Sequence, residues 1–271
     1  MASPLTARTG RLTGFILRLD RLRISLWLIG IVFFTLIVPP ALSGMYGSQE
    51  ERDVMVETMA NPAMTAMLGP GDLDNYTVGA MTAHQMLLLT SLVVGLMAIL
   101  LVARHTRADE EEGRIEPLLG SPVSRTRLLG AYTVLAMANG FVMLSLAAIG
   151  LWSAGNASME NGLDFGTIYG AAVAYYPAQL VLIGLAAFFV GFVPKLTALN
   201  WLYLFYSFVV LYMGGLLQVP DWTKRMTPFG YVPNAPVEEV TLLPLLVLGL
   251  IAAVLALAGF AGYRRRDIET S

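Results

Sequence analysis

Apolar residues gather in six long runs separated by polar connections, and these runs, rather than any strict alternation, organise the chain. They lie near Ile24–Ser43, Met81–Val102, Leu128–Ser153, Ile168–Val193, Leu196–Leu217 and Thr241–Gly262. A bilayer core about 30 Å thick takes about 20 apolar residues wound as helix, so each run predicts a transmembrane helix. None carries Asp, Glu, Lys or Arg in its middle, where such a charge would cost about 2.5–3.5 kcal/mol. Ahead of the first run, residues 12–23 set Phe15, Ile16, Leu19 and Leu22 against Arg18, Arg21 and Arg23 at helical spacing. The pattern suits a helix lying in the membrane interface; flanking positive charge alone would give the same pattern. The first run is longer than a signal-peptide core of roughly 7–15 residues, and Pro39-Pro40 fall where cleavage would occur. It is therefore expected to stay as a helix.

The expected fold is all-α, a polytopic membrane protein in which residues 1–271 form a single transmembrane domain. Composition agrees: 56% of the residues are hydrophobic and 13% charged, about half the charge of a soluble domain, near 25%. Orientation follows from Lys and Arg in the connections. Arg8, Arg11, Arg18, Arg21, Arg23, Arg104, Arg107, Arg114, Arg125, Arg127, Lys195, Arg264, Arg265 and Arg266 fall on one side. Only Arg52, Lys224 and Arg225 fall on the other. The termini and the 103–127 connection are thus expected in the cytoplasm of a cell, the protein being multi-pass in its plasma membrane, with segments 44–80 and 218–240 outside. Segment 44–80 holds two candidate short helices, one opened by the Ser48/Glu51 capping box and one by Asn61-Pro62 and stopped at Gly69. Segment 218–240 carries four prolines with Trp222, Phe229 and Tyr231, which suits chain lying at, or dipping into, the outer interface.

Several chemistries lack their residues. There is no cysteine, so disulfides, thiolate metal sites and thiol catalysis are excluded. Lys195 and Lys224 are the only lysines, and neither follows a glycine as a phosphate-binding loop requires. His84 and His105, the only histidines, lie a span apart and cannot share a metal within one chain. The spans lack the ionisable groups of a proton relay, and a net charge of −2 gives no reason to expect nucleic acid. No catalytic residue, metal or cofactor is expected in this chain. Polar but neutral residues remain inside the spans: Gln85, Asn139, Gln179, Asn200 and Ser207. Trp201, Phe205, Phe208 and Tyr212 share one face of the fifth. Gln85, Asn139, Gln179, Asn200, Phe205, Phe208 and Tyr212 are candidates for a substrate path; bonding or packing between helices would use the same residues. Pro177 implies a kink beside Gln179, and Ala136/Gly140 and Gly259/Gly262 permit close helix approach.

One connection stands out. Arg104–Arg127 packs ten charges into 24 positions. Thr106 can cap a short helix whose first turn holds Asp109 and Glu110, where the helix dipole favours acids. Ile115, Leu118 and Leu119 then present apolar side chains, Gly120 can stop the helix, and Ser121-Pro122 can start another. The result is a compact knob, charged on one side and apolar on the other. Its pattern, Glu111-Glu112-Gly113-x-x-Glu116-x-Leu118-Leu119-x-Ser121-Pro122-Val123-Ser124-Arg125, resembles the loop after the second span of type-2 ABC exporter permeases. The stretch RHTRADEEEGRIEPLLGSPVSR and the ending YRRRDI resemble more narrowly the membrane subunits of polyketide-antibiotic (tetronasin-type) exporters, whose chains often join two six-span halves. This chain is similar to one half. The resemblance implies an ATP-driven export permease for a lipophilic compound, probed at Arg107, Glu110, Glu111, Glu112, Gly113, Ile115, Glu116, Leu118 and Leu119 by a docking ABC ATPase dimer. It implies ATP and magnesium on that partner, and a second copy of this chain or a related six-span permease beside it. An ion-coupled carrier, or a membrane scaffold recruiting a soluble partner, would keep the same spans.

Overall fold

The computed structural model describes residues 4–45, 75–103, 125–158, 164–214, 217–233 and 240–265. Among them the secondary structure is helical, with no strand. The helices are α1 (Pro4–Met45), α2 (Asn75–Ala103), α3 (Arg125–Ser158), α4 (Phe165–Ala174), α5 (Tyr176–Phe192), α6 (Leu199–Tyr212), α7 (Asp221–Lys224) and α8 (Leu242–Arg265). Single 3-10 turns occupy Pro194–Leu196 and Pro228–Tyr231. Among the described residues, five stretches are long and apolar enough to cross a membrane: Ile16–Ala41, His84–Ala103, Thr126–Ser158, Phe165–Phe192 and Leu242–Arg265. The expected fifth span, 196–217, contains α6, whose 14 residues make a rod about 21 Å long at 1.5 Å per residue. The candidate helices at Ser48 and Asn61 and the knob over 104–124 lie outside the described residues.

Residues 12–23 run without a break into the first span as part of the 42-residue α1. Ile16, Asp20 and Ile24 are buried while Leu19 and Leu22 are exposed. The stripe Ile16, Asp20, Ile24, Ile31 and Thr35 keeps the spacing of a helix face, and packing of the rest of α1 extends this face downward. Asp20 lies on that stripe with Arg23 at 3.3 Å. Thr35 bonds back to the Ile31 carbonyl at 2.9 Å and fills the space left open by Gly150 of α3. The fourth span is broken where Pro177 predicts a kink: α4 and α5 are separated by Tyr175, two residues before Pro177. Proline has no N–H to offer the Val173 carbonyl, so the break falls in the turn before it.

Side-chain pairs fix how the helices run. Asn139 meets Met97, and Gly140 faces Val94, so α2 and α3 are antiparallel. The Tyr176 hydroxyl donates to the Met137 carbonyl at 3.2 Å, and Ser145 and Tyr169 lie 3.3 Å apart, which runs α4 and α5 back along α3. His84 with Tyr175, Ser91 with Gln179 and Gly95 with Leu182 make α2 and α5 parallel. Gly184 faces Ala252, Gly191 faces Gly259, and Gly262 faces Phe192, so α5 and α8 are parallel too. Helices α2, α3 and α5 hold most of the buried apolar residues. The outward faces of α1 (Leu22, Leu26, Ile29, Phe33) and α8 (Leu243, Leu246, Leu250, Val254, Leu257) are exposed and aliphatic, on a scale that water would not tolerate and lipid would.

After α6 the chain doubles back. Gly214 passes too close to the Val210 carbonyl to carry a side chain, and Gln218 stands at φ 50°, a conformation uncommon outside glycine. Residues 217–233 then return beside α6, where the Tyr203 and Tyr206 hydroxyls donate to the carbonyls of Met226 (2.8 Å) and Thr223 (3.0 Å). Thr227, Pro228 and Phe229 are buried beneath. Each tyrosine bond contributes about 0.5–1.5 kcal/mol. The double variant Tyr203→Phe/Tyr206→Phe is therefore expected to fold normally while its 217–233 segment becomes several-fold more susceptible to limited proteolysis. Unchanged cleavage would show that packing of Phe229 alone holds the segment.

Candidate functional site

The polar residues inside the bundle meet mainly where α2, α5 and α6 converge. Gln179 has no exposure; its Nε2 donates to the Ser91 carbonyl of α2. Ser91 itself bonds back to the Leu88 carbonyl at 2.7 Å, so its helix turn carries two side-chain bonds. One turn on, Gly95 leaves room: a Cβ there would stand 2.7 Å from Leu182 Cδ1, 3.2 Å from Gln179 Oε1 and 3.4 Å from Leu204 Cδ1. The face that α6 turns inward is Asn200, Leu204, Ser207 and Val210. Ser207 bonds its hydroxyl to the Tyr203 carbonyl at 2.9 Å. Asn200 is fully buried, and neither its Oδ1 nor its Nδ2 has a hydrogen-bond partner among the described residues; the same holds for Gln179 Oε1. A buried amide without a partner costs roughly 1–3 kcal/mol per polar group, so the bundle tolerates a local electrostatic cost at this junction.

The other candidates stand apart. Asn139 is buried between α2 and α3, its Nδ2 donating to the sulfurs of Met97 (2.9 Å) and Met143 (3.3 Å). Thioethers are weak acceptors, and the amide serves a helix contact. Asn139→Leu is accordingly expected to change thermal stability by less than about 1 kcal/mol and to leave transport unaltered; a large transport loss would return Asn139 to the path. Gln85 is half-buried at the far end of α2. The aromatic face of α6 is divided: Phe205 is exposed, while Phe208 and Tyr212 are half-buried and stack at 5.5 Å. That face flanks the inward stripe instead of lining the junction. Arg107, Glu110, Glu111, Glu112, Gly113, Ile115, Glu116, Leu118 and Leu119 lie outside the described residues.

Sequence reasoning passed over Ser91 and Gly95. Their spacing of four within an apolar span is the small-xxx-small signal for close helix approach, and it was readable. Tyr203 and Tyr206 had no such signal, because their hydroxyls act on a segment brought back by the turn at Gly214–Gln218.

Residues 10–264 match the family described as the C-terminal domain of the multidrug efflux system permease Rv1217c. The chain belongs to that family. It is also 29% identical over 262 residues to the multidrug efflux system permease protein Rv1217c of Mycobacterium tuberculosis (strain ATCC 25618 / H37Rv), covering 94% of this chain and 45% of that protein. The chain thus spans about half the length of this relative. Membership in an efflux-permease family accords with the apolar helices and their aliphatic outward faces: this is a membrane protein of a permease family. The α2–α5–α6 junction and the undescribed 104–124 stretch both fall within the matched residues.

Proposed function

We propose that this chain is the membrane-spanning permease half of an ATP-driven ABC exporter that moves a lipophilic, uncharged or weakly polar compound out of a bacterial cell. The observation that carries this is the family match over residues 10–264. On this reading the chain crosses the membrane six times: the parallel run of α5 and α8 supports a return across the bilayer between them, through α6 and its flanking turns. The excess of arginine on the connections at 1–23, 103–127 and 264–266 supports cytoplasmic termini. The acidic knob over 104–127 is the docking point for a separate ATPase, with Glu111, Glu112 and Glu116 meeting basic residues and Ile115, Leu118 and Leu119 filling a groove. ATP and magnesium are then bound by that partner, and this chain performs no catalysis. On this reading the six spans of this chain join those of a second copy or a related six-span permease in a pathway of twelve spans.

The test is purification in mild detergent from the native host, followed by mass spectrometry of whatever co-elutes. A stoichiometric ABC ATPase is expected, with a second permease chain if the assembly is mixed. Elution without an ATPase, even after crosslinking through the 104–127 loop, would overturn the reading and favour an ion-coupled carrier or a scaffold.

A further inference from the structure

Gln179 Oε1 and both polar atoms of the Asn200 amide are buried on neighbouring helices without a hydrogen-bond partner among the described residues. Gln179 Oε1 and Leu204 Cδ1 both lie close against Gly95. Asn200 precedes Leu204 by four residues on the same inward stripe, which sets it about 6 Å along the helix axis. In the present arrangement Leu204, an apolar residue, stands beside a buried carbonyl oxygen that needs a donor, while Asn200 holds a donor that needs an acceptor. Both mismatches have the same remedy. A movement of α6 by one turn, about 5.4 Å, toward its C-terminal end carries Asn200 into the place of Leu204, where its Nδ2 can donate to Gln179 Oε1.

We propose that α6 has two seats against α2 and α5, one helical turn apart, and that Asn200 pairs with Gln179 in the second. One-turn displacements of one packed element past another belong to the known repertoire of switching transitions, and packed interfaces favour discrete seats over continuous sliding. Two features of the chain make α6 the element that moves. Gly95 presents no side chain for Leu204 or Asn200 to climb over. Helix α6 is short and is joined on both sides by turns, not by continuous helix. The 217–233 segment is anchored in the core by Phe229 and Val232, so the Tyr203 and Tyr206 bonds to it have to be exchanged when α6 moves. The proposal rests on the exporter reading for its driving force, ATP binding at the partner, but not for its geometry.

The natural absence of cysteine makes the test direct. One double variant, Gly95→Cys with Leu204→Cys, is placed in native membranes with Gln179 and Asn200 intact. A side chain at Gly95 meets first the flexible end of Leu182, which can turn aside. Disulfide yields are compared without nucleotide and after trapping with magnesium, ATP and vanadate. The Gly95/Leu204 yield is expected to change several-fold between the two conditions. Adding Gln179→Leu, or separately Asn200→Leu, is expected to abolish the change. Equal closure of Gly95/Leu204 in both conditions, with and without Gln179→Leu, overturns the proposal, and trapped water then becomes the partner of both amides. If nucleotide has no effect yet Gln179→Leu raises the yield several-fold in resting membranes, the two seats stand and the exporter reading loses its driver.

Discussion

Gly259→Leu is expected to leave little folded protein in the membrane. A Cβ at this position would stand 2.5 Å from the backbone carbon of Ala187 and 2.7 Å from the nitrogen of Phe188, and neither backbone atom can turn aside as a side chain can. Helices α5 and α8 would have to separate, and the contacts of Gly184 with Ala252 and of Gly191 with Gly262 would open with them. Extra methylenes in a packed core cost about 1–3 kcal/mol; a whole leucine against backbone exceeds the upper end. Helix association in lipid depends on close packing because no hydrophobic force distinguishes a neighbouring helix from a lipid tail, so the lost contacts are not replaced. Fluorescence-detected size exclusion in detergent should show the monodisperse peak reduced to a small fraction. Gly249→Leu, on the same helix, meets nothing within 4 Å and should elute as the unaltered protein does. Equal behaviour of the two variants would mean that α5 and α8 do not pack through their glycines.

Glu112→Lys is expected to abolish export while leaving insertion and folding intact. Residue 112 closes the acidic run Asp109–Glu112, between two expected spans and in neither, so the bundle should form without it. On the exporter reading its carboxylate faces a basic partner, and reversal puts like charges together. Such a juxtaposition costs several kcal/mol; at about 3 kcal/mol docking weakens more than a hundredfold. Drug accumulation in cells expressing the variant should match that of cells lacking the permease, and the ATPase should no longer co-purify. Glu112→Gln, which removes attraction without adding repulsion, should fall between. Normal efflux by Glu112→Lys would count against docking at this loop.

The helices were legible because lipid imposes a length: about 20 apolar residues announce a span whatever its neighbours are. Tertiary relations were much less so. Of the apolar residues Ile16, Leu19 and Leu22 in the 12–23 stretch, only Ile16 packs inward, on a stripe that includes Asp20, because continuity with the rest of α1 decides which side meets the bundle. The parallel pairing of α5 with α8 could be sensed only in part, through Gly259 and Gly262, since Gly184 and Gly191 sit in a span already crowded with small residues. Among the intramembrane amides, Gln85, Asn139, Gln179 and Asn200 read alike in one dimension. Packing separates them: Asn139 onto sulfur, Gln179 onto a carbonyl, and Asn200 onto no partner among the described residues.

The glycine seam between α5 and α8 also bears on how the protein is made. Helix α5 leaves the ribosome well before α8, with α6 and the 217–233 return synthesised between them. During that interval the smooth side of α5, Gly184, Ala187 and Gly191, has no mate, and any close-packing helix nearby can occupy it. Ribosome stalling before Leu242 should therefore leave a nascent chain captured by insertion chaperones or marked for membrane proteolysis, and release should coincide with entry of α8. Biogenesis of this bundle would then be checked at α8, by a seam that closes only when both of its helices have been delivered.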